Sequence, residues 1–412
     1  IAGVCSALPL FTSLAVAAEA VQHVDAMACK QCHEEIYAQW SGSMHANSSA
    51  LKDPIHGAFY KNVIGDPLQE GVTKKGKPPV CLKCHAPVAA LDKKTKLDAK
   101  PAYAAGISCT TCHSFSKFKG TDTKDGKPLY GTDAYEMDPN SLYGPSGISY
   151  TTERTPEDAK WPTPVHHPVP IQGNKSELFK SNDVCMGCHE KRSNPHGTPL
   201  CRTGNEYRSA KNFVSCQACH MAIVNVPKLK DGVVVPGETV SIADHSMAGG
   251  HDDKMITRGI ALSMETQREG DTIKAKLTVR NRLPHAYPTG APFRNFFIRV
   301  ATYDKDGKML WKNYKVHPIK DDPKAAFWYT LGDEAGKPTS PPKATQVLSD
   351  TRLKPNEERT LEYEIPVEPG TSILRAEALY DLMLPPIKAK MKGKLPDELL
   401  TPRLAASAEV RL

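Results

Sequence analysis

The 412-residue sequence predicts two unlike parts: short helices and long loops over residues 21–257, then an all-β sandwich over residues 258–385. Two observations carry that division. Five copies of the pattern C-x-x-C-H fall between residues 29 and 220, and none falls later. After residue 270 the chain changes to apolar–polar alternation broken by Gly and Pro, the period of half-buried strands.

The N-terminal stretch is set apart from both. Ile1 to Ala20 is apolar (Leu8, Leu10, Phe11, Leu14, Val16) and runs into small residues, with Ala15-Val16-Ala17 and Ala18-Glu19-Ala20 as candidate cleavage triplets. It reads as the remnant of a signal peptide, which predicts an exported chain. Cys5 follows Val4 where a lipid-attachment box needs a small residue, so it is expected to leave with the leader. No later segment reaches the roughly eighteen continuous apolar residues of a membrane span. A periplasmic, cell-surface or extracellular location is therefore expected, with any membrane complex joined through partners.

The remaining length exceeds what one core usually holds, so two domains are expected. The formal charge of +7 is spread over scattered lysines, with no basic, aromatic-interleaved helix, which argues against nucleic acid as a partner. The clusters at Lys93 to Lys100 and Lys388 to Lys394 read as solvated surface.

Ten of the twelve cysteines form the five patterns: Cys29/Cys32/His33, Cys81/Cys84/His85, Cys109/Cys112/His113, Cys185/Cys188/His189 and Cys216/Cys219/His220. Chance would supply roughly 0.01 copies at this composition, so the pattern is read as c-type haem attachment. Each cysteine adds to a haem vinyl group as a thioether, and the adjacent imidazole reaches the iron from one face. Zinc knuckles would leave the following histidine unexplained, and five knuckles cannot be paired into four-thiolate sites. Disulfides do not need the histidine either. Cys201 stands outside the motifs and reads as a buried thiol. Five haems over residues 21–257 leave about 47 residues for each, too few for a conventional core. The interior of that part is expected to be largely porphyrin, with residues 121–165, punctuated by Gly126, Gly131, Pro139 and Gly144, as an ordered wrap.

In the second part, Ile273, Ala275, Leu277 and Val279 alternate with Lys274, Lys276, Thr278 and Arg280. Phe296, Ile298 and Val300 repeat the period, Asp304 to Gly307 reads as a hairpin turn, and Leu361, Tyr363 and Ile365 alternate again before a strand over Ser372 to Tyr380. Residues 386–412, rich in Lys, Pro and Ala, read as a tail or a strap.

Several longer stretches carry a family resemblance: Trp40-Ser-Gly-Ser43-Met-His45 after the first motif, Gly106-Ile-Ser before Cys109, Glu206-Tyr207-Arg-Ser209 before the fifth motif, Asp244-His245-Ser-Met247 and Leu283-Pro-His285-Ala-Tyr-Pro288-Thr-Gly290. With their order, the chain resembles the multihaem cytochromes related to the tetrahaem electron carrier of nitrifying bacteria, especially relatives with an appended β domain. That resemblance implies electron transfer through mostly bis-histidine haems at the periplasm or cell surface, and some members resemble building blocks of conductive filaments. Five motifs in place of four is a departure, so no particular partner carries over.

The sixth coordination position decides between a carrier and a catalyst, because two imidazoles close the iron to substrate. His45, His167, His245, His285 and His196 are the expected second ligands. His45 and His167 match positions the family uses, and His167 is preferred to His166. Pro168 extends the chain at His167, a Gly-Gly turn follows His245, and Pro284 and Pro288 bracket His285. His196 lies between Pro195 and Gly197, while His56 and His251 read first as surface histidines. Met27, Met186 and Met221 read as packing residues. The expected function is an electron carrier between redox proteins or other cytochromes, with no catalytic residue. The alternatives are a nitrogen- or sulfur-oxyanion redox enzyme with one open iron, or a subunit of a homo-oligomer, conductive filament or membrane-associated complex.

Overall fold

The computed structural model describes residues 19–74, 76–152, 167–211, 214–230 and 233–412. Nearly all of the leader, His166 and much of the expected wrap (residues 153–165) lie outside the described residues.

The motifs sit on single helical turns, and local capping explains why. Ser108 accepts from the Thr111 N–H at the start of Cys109–His113, and Ser215 accepts from the Ala218 N–H at the start of Cys216–His220. Asp25 caps Ala26–Lys30, which carries Cys29. One helical turn places two cysteines three apart on the same face, with the histidine one residue further. Around these turns the apolar residues gather in small separate clusters. Tyr60, Leu82, Val88, Leu97 and Tyr103 make one, Trp40 with Ala26 and Ala46 another, and Phe115 with Ala134 and Tyr135 a third. Phe115 and Tyr135 stack at 3.8 Å across the short antiparallel pair Phe115–Phe118 and Tyr135–Met137.

Between the fifth motif and His245 the chain forms an antiparallel hairpin of Ile223–Lys230 and Val233–Ala243. Val226 is buried, but Ile223 is 70% exposed, so most of the apolar alternation faces outward.

The second part holds two antiparallel sheets. One runs in the order Gln346–Asp350, Ala326–Gly332, Asn295–Tyr303, Ile373–Asp381, Arg403–Arg411, with Met309–Lys312 also on Asn295–Tyr303. The other runs Glu358–Pro366, Thr272–Asn281, Ile260–Glu269. The alternation predicted for Thr272–Asn281 appears as burial of Ile273, Ala275, Leu277 and Val279, and these residues share one cluster with Phe296, Ile298, Val300, Phe327 and Leu374 of the larger sheet. Residues 386–412 differ from the expected tail or strap: Pro385–Met391 is a helix, and Arg403–Arg411 is an edge strand on Ile373–Asp381. Ala405 is its only buried residue, and Ala and Ser supply so little contrast that the two-residue period is invisible in sequence.

Phe296 is fully buried and stacks on Phe327 at 4.1 Å. Phe296→Ala is expected to cost about 3–5 kcal/mol of β-domain stability, while Leu404→Ala on the exposed edge stays within about 0.5 kcal/mol. Urea unfolding followed by tryptophan fluorescence separates the two. His317 gives a pH effect. Its Nδ1 accepts from the Ile319 N–H, so the neutral ring carries its proton on Nε2, which is buried without a partner. Burial, then the charge of Lys388, pushes this imidazole down to about 4. Its neutral form therefore contributes stability above pH 6.5 that is lost as pH falls toward 4, where the unfolded chain takes up the proton first. The His317→Gln variant is expected to show a flatter stability–pH curve over that window.

Candidate functional site

The five motif imidazoles do not stand alone. Each faces a second imidazole from elsewhere in the chain. His33 faces His167 with ring centres 6.3 Å apart, His189 faces His45 at 6.2 Å, His113 faces His245 at 6.5 Å, and His220 faces His285 at 6.5 Å. His85 faces His56 at 4.1 Å.

Backbone carbonyls meet seven of these ten rings. Nδ1 of His113 lies 2.6 Å from the Tyr143 carbonyl, that of His220 2.6 Å from Ala248, and that of His245 2.8 Å from Ala243. His167 and His285 meet the carbonyls of Val169 and Ala286 at 2.6 Å and 3.0 Å. His56 and His85 share the Ser48 carbonyl, at 2.9 Å and 3.2 Å. A ring that donates from Nδ1 is left with its lone pair on Nε2, the tautomer a metal needs. Burial favours the neutral form of His33, His56, His113, His189 and His285. It pushes His45 down to about 4, with help from His189 and His220, and His85 down to about 3, with help from His56.

The scaffold fixes these positions closely. Trp40 donates to the Ile107 carbonyl at 2.8 Å, and the Ile107 N–H donates to the His45 carbonyl at 2.9 Å. Gly106 takes φ +65° there, and a Cβ on it would fall 2.5 Å from that carbonyl oxygen, so only glycine fits. The Tyr135 hydroxyl accepts from the Gly187 N–H at 2.9 Å and lies 2.8 Å from the Val184 carbonyl, seating the fourth motif helix. A side chain at Gly187 would run into the Tyr135 ring.

The motifs also lie against one another. The thiols of Cys29 and Cys109 face each other, as do Cys84 and Cys188, and Cys185 and Cys216. Cys112 lies within electrostatic reach of Cys185. None of the described cysteines is in a disulfide.

Of the ten motif cysteines, Cys32 and Cys219 are exposed and the other eight are half-buried. The reason is where their turns lie. Cys32 stands in the turn between the helices Ala26–Lys30 and Glu34–Ser41, with Gln31, His33 and Glu34 also exposed. Cys219 belongs to Cys216–His220, a helix with no buried residue. In both motifs the first cysteine is turned to a neighbouring motif, Cys29 to Cys109 and Cys216 to Cys185, and the second is left at the outer rim. Exposure does not remove either thiol from the attachment set, because a thioether joins the rim of a porphyrin and not its centre.

This arrangement fits haem. Two imidazoles on one metal, each bonded at about 2 Å, have ring centres about 6 Å apart, and four of the five pairs meet that distance. In the fifth, one of the rings on Ser48 must move outward by about 2 Å to do so. Among the described residues no three His, Cys, Asp or Glu side chains converge as a metal cage. Pairs of imidazoles suit a metal whose remaining ligands come from a porphyrin.

Sequence reasoning and structure part again at His196. It is exposed in the turn after Asn194, whose side chain accepts from the His196 and Thr198 N–H groups and donates to the Pro341 and Ala344 carbonyls. That turn serves contact with the β part, and its ring meets no motif imidazole among the described residues. His56 takes the place opposite His85. The signal for it is the Asp53-Pro54 start of the helix Pro54–Val63, which fixes the ring within one turn of a capped N-terminus. Met186 is buried against Gly204 and Met27 is exposed.

Comparison with known proteins agrees with this geometry. The family described as "Cytochrome c554 and c-prime" matches residues 28–114, which span the first three motifs. No curated protein matches the chain. The crystal structure of a penta-haem cytochrome c552 from Thermochromatium tepidum is 40% identical, covers 96% of this chain and 100% of its own, and superposes with a TM-score of 0.82. A DUF1425 family member from Shewanella sp. pv-4 matches 39% of this chain and 90% of its own at 11% identity, with a TM-score of 0.16 that carries no structural inference. With that full-length similarity and the haem-attachment motifs, the chain belongs to the family of multihaem c-type cytochromes that includes penta-haem cytochrome c552.

Proposed function

We propose that the protein carries five haems c, each held between two histidines, and relays electrons between redox partners at the periplasm or cell surface. The single observation that carries this reading is the set of five facing imidazole pairs. In it, Cys29/Cys32, Cys81/Cys84, Cys109/Cys112, Cys185/Cys188 and Cys216/Cys219 hold the porphyrins. His33, His85, His113, His189 and His220 are the near ligands, and His167, His56, His245, His45 and His285 the far ones. Bound haem supplies a one-electron couple, whose potential the axial ligands and their hydrogen bonds set.

The chain's own part is to hold, order and shield. Carbonyls fix the imidazole tautomers, which keeps ligand geometry constant between redox states. The facing thiols of Cys29 and Cys109, Cys185 and Cys216, and Cys84 and Cys188, with Cys112 within electrostatic reach of Cys185, support a continuous order of the first, third, fourth and fifth sites, with the second branching from the fourth. The two exposed cysteines, Cys32 and Cys219, fall at the two ends of that order, where partners would exchange electrons with the chain. Two imidazoles on every iron leave no face for substrate, which favours a carrier over an oxyanion enzyme. Among the described residues no helix is long and apolar enough to cross a membrane.

Intact mass of the matured protein is expected to show five haem additions, and the reduced protein no carbon-monoxide difference spectrum. His56→Ala is expected to open one iron to carbon monoxide, while His196→Ala leaves the spectrum silent. Fewer haems, or carbon-monoxide binding by the unaltered protein, would overturn the reading.

A further inference from the structure

Between the fourth and fifth motifs lies the two-turn helix Thr203–Ser209, and its side chains reach in two directions. Toward the fourth motif, Arg208 grips the Glu190 carboxylate with Nε at 2.6 Å and a terminal nitrogen at 3.0 Å. Glu190 is the residue after His189 and is 3% exposed. Toward the β part, Glu206 collects three donors with one carboxylate. Its Oε2 accepts from the Ala286 N–H at 3.2 Å and from the Thr289 hydroxyl at 2.6 Å, and its Oε1 accepts from Arg352 at 2.8 Å. Ala286 is the residue after His285. The Thr203 hydroxyl meets that of Thr289 at 2.9 Å.

Glu206 and Arg352 are both nearly buried, with side chains 14% and 12% exposed. Taking two charges out of water is costly, and the cost is offset only where geometry and extra hydrogen bonds are good. Here they are: the same Arg352 nitrogen also donates to the Pro288 carbonyl at 3.2 Å, Asp350 holds the other face of the guanidinium, and the plane lies over Tyr329 at 4.4 Å. The carboxylate thus ties the backbone on one side of His285 and the hydroxyl four residues on, so the loop that presents the ring has little freedom to rotate. A hydrophobic contact would close the interface without fixing direction; a carboxylate with three aimed donors fixes it.

We infer that Glu206 is a positioning residue for His285, and that the Glu206–Arg352 pair sets the orientation and potential of the haem held between His220 and His285. The inference rests on the bis-histidine reading of that site. Glu206 touches no iron ligand side chain; it acts through the Ala286 N–H and Thr289. Because the helix also holds Glu190 beside His189, the fourth and fifth sites are built on one rigid piece. The two charges act oppositely on the fifth site. A buried negative charge nearby favours the oxidised, more positive iron, and a positive charge favours the reduced one.

The test uses the full haem-loaded protein in four variants, Glu206→Gln, Thr289→Val, Arg352→Met and His285→Ala, with covalent haem counted by mass. Glu206→Gln is expected to raise the potential of one haem and Arg352→Met to lower that of the same haem, in a potentiometric titration followed by low-temperature EPR. Thr289→Val, which removes one donor and no charge, is expected to give that haem a detectable carbon-monoxide-binding fraction where the unaltered protein shows none. Shifts of equal sign in the two charge variants, or no shift in either, would overturn the proposal while His285→Ala still opened one iron to carbon monoxide. A silent His285→Ala would instead overturn the ligand reading beneath it. Should Glu206→Gln fail to retain its haems, Thr289→Val and Arg352→Met decide the matter alone.

Discussion

The pairing of each motif imidazole with a distant imidazole is the constraint on which the N-terminal half depends. His33 and His167 are separated by most of that half, as are His113 and His245, and His189 and His45 cross between them. Among the described residues, most apolar side chains there form small clusters, while Ile55 and Ile256 pack into the core of the β part. A chain with so little continuous core must close its long loops on something else, and closing them costs entropy that grows only slowly with loop length. Ligation through pairs of this kind would close four such loops at once. It also explains how turn-rich segments between motifs stay ordered, since both of their ends are fixed.

The carbonyls behind the rings matter as much as the rings. An imidazole free to rotate would cost rotamer entropy on binding and would leave its tautomer undetermined. The Ser48, Tyr143, Ala243 and Ala248 carbonyls remove both freedoms. Ser48 does so for two rings, which is why His56 and His85 lie closer together than the other pairs. Close approach of backbone is what Gly106 and Gly187 are for; each sits where a Cβ would strike a group that aims or seats a site.

Much of this was legible in the sequence because chemistry with fixed spacing is local. The five motifs follow from cysteine and histidine spacing alone, and the strands over Thr272–Asn281 and Glu358–Pro366 from their two-residue period. Spacing does not say which side of a motif meets water, so the exposure of Cys32 and Cys219 had no local sign. The positions of His45, His167, His245 and His285 could be singled out because a Pro, a Gly-Gly turn or a Trp-containing stretch marks each of them. His56 and His196 show the limit. Both stand in a Pro- or Gly-marked setting, and which of them turns inward depends on tertiary partners: Ser48 for one, and Asn194 bonded to the Pro341 and Ala344 carbonyls for the other. The strand Arg403–Arg411 was hidden for a different reason. Its small residues pair by backbone and bury almost nothing, so hydropathy has no signal to give.

The β part can be understood from the same constraint. A histidine presented from a flexible tail could reach the fifth motif, but it could not hold a fixed angle there. Asn281, fully buried at the end of Thr272–Asn281, donates to the His285 carbonyl at 2.8 Å and to the Lys354 carbonyl at 2.8 Å, so the presenting loop is stitched to the neighbouring Leu353–Lys354 segment of its own domain. Glu206 then stitches the same loop to the other half. A rigid sheet behind the loop and a buried ion pair in front of it make the angle of one imidazole a property of two domains. An electron carrier gains from this, because reorganisation at the metal is small only when the ligands cannot follow the change in charge. With His285 as the proposed far ligand, the sheets would be less an independent module than the back wall of the fifth site, with a core that keeps one loop still.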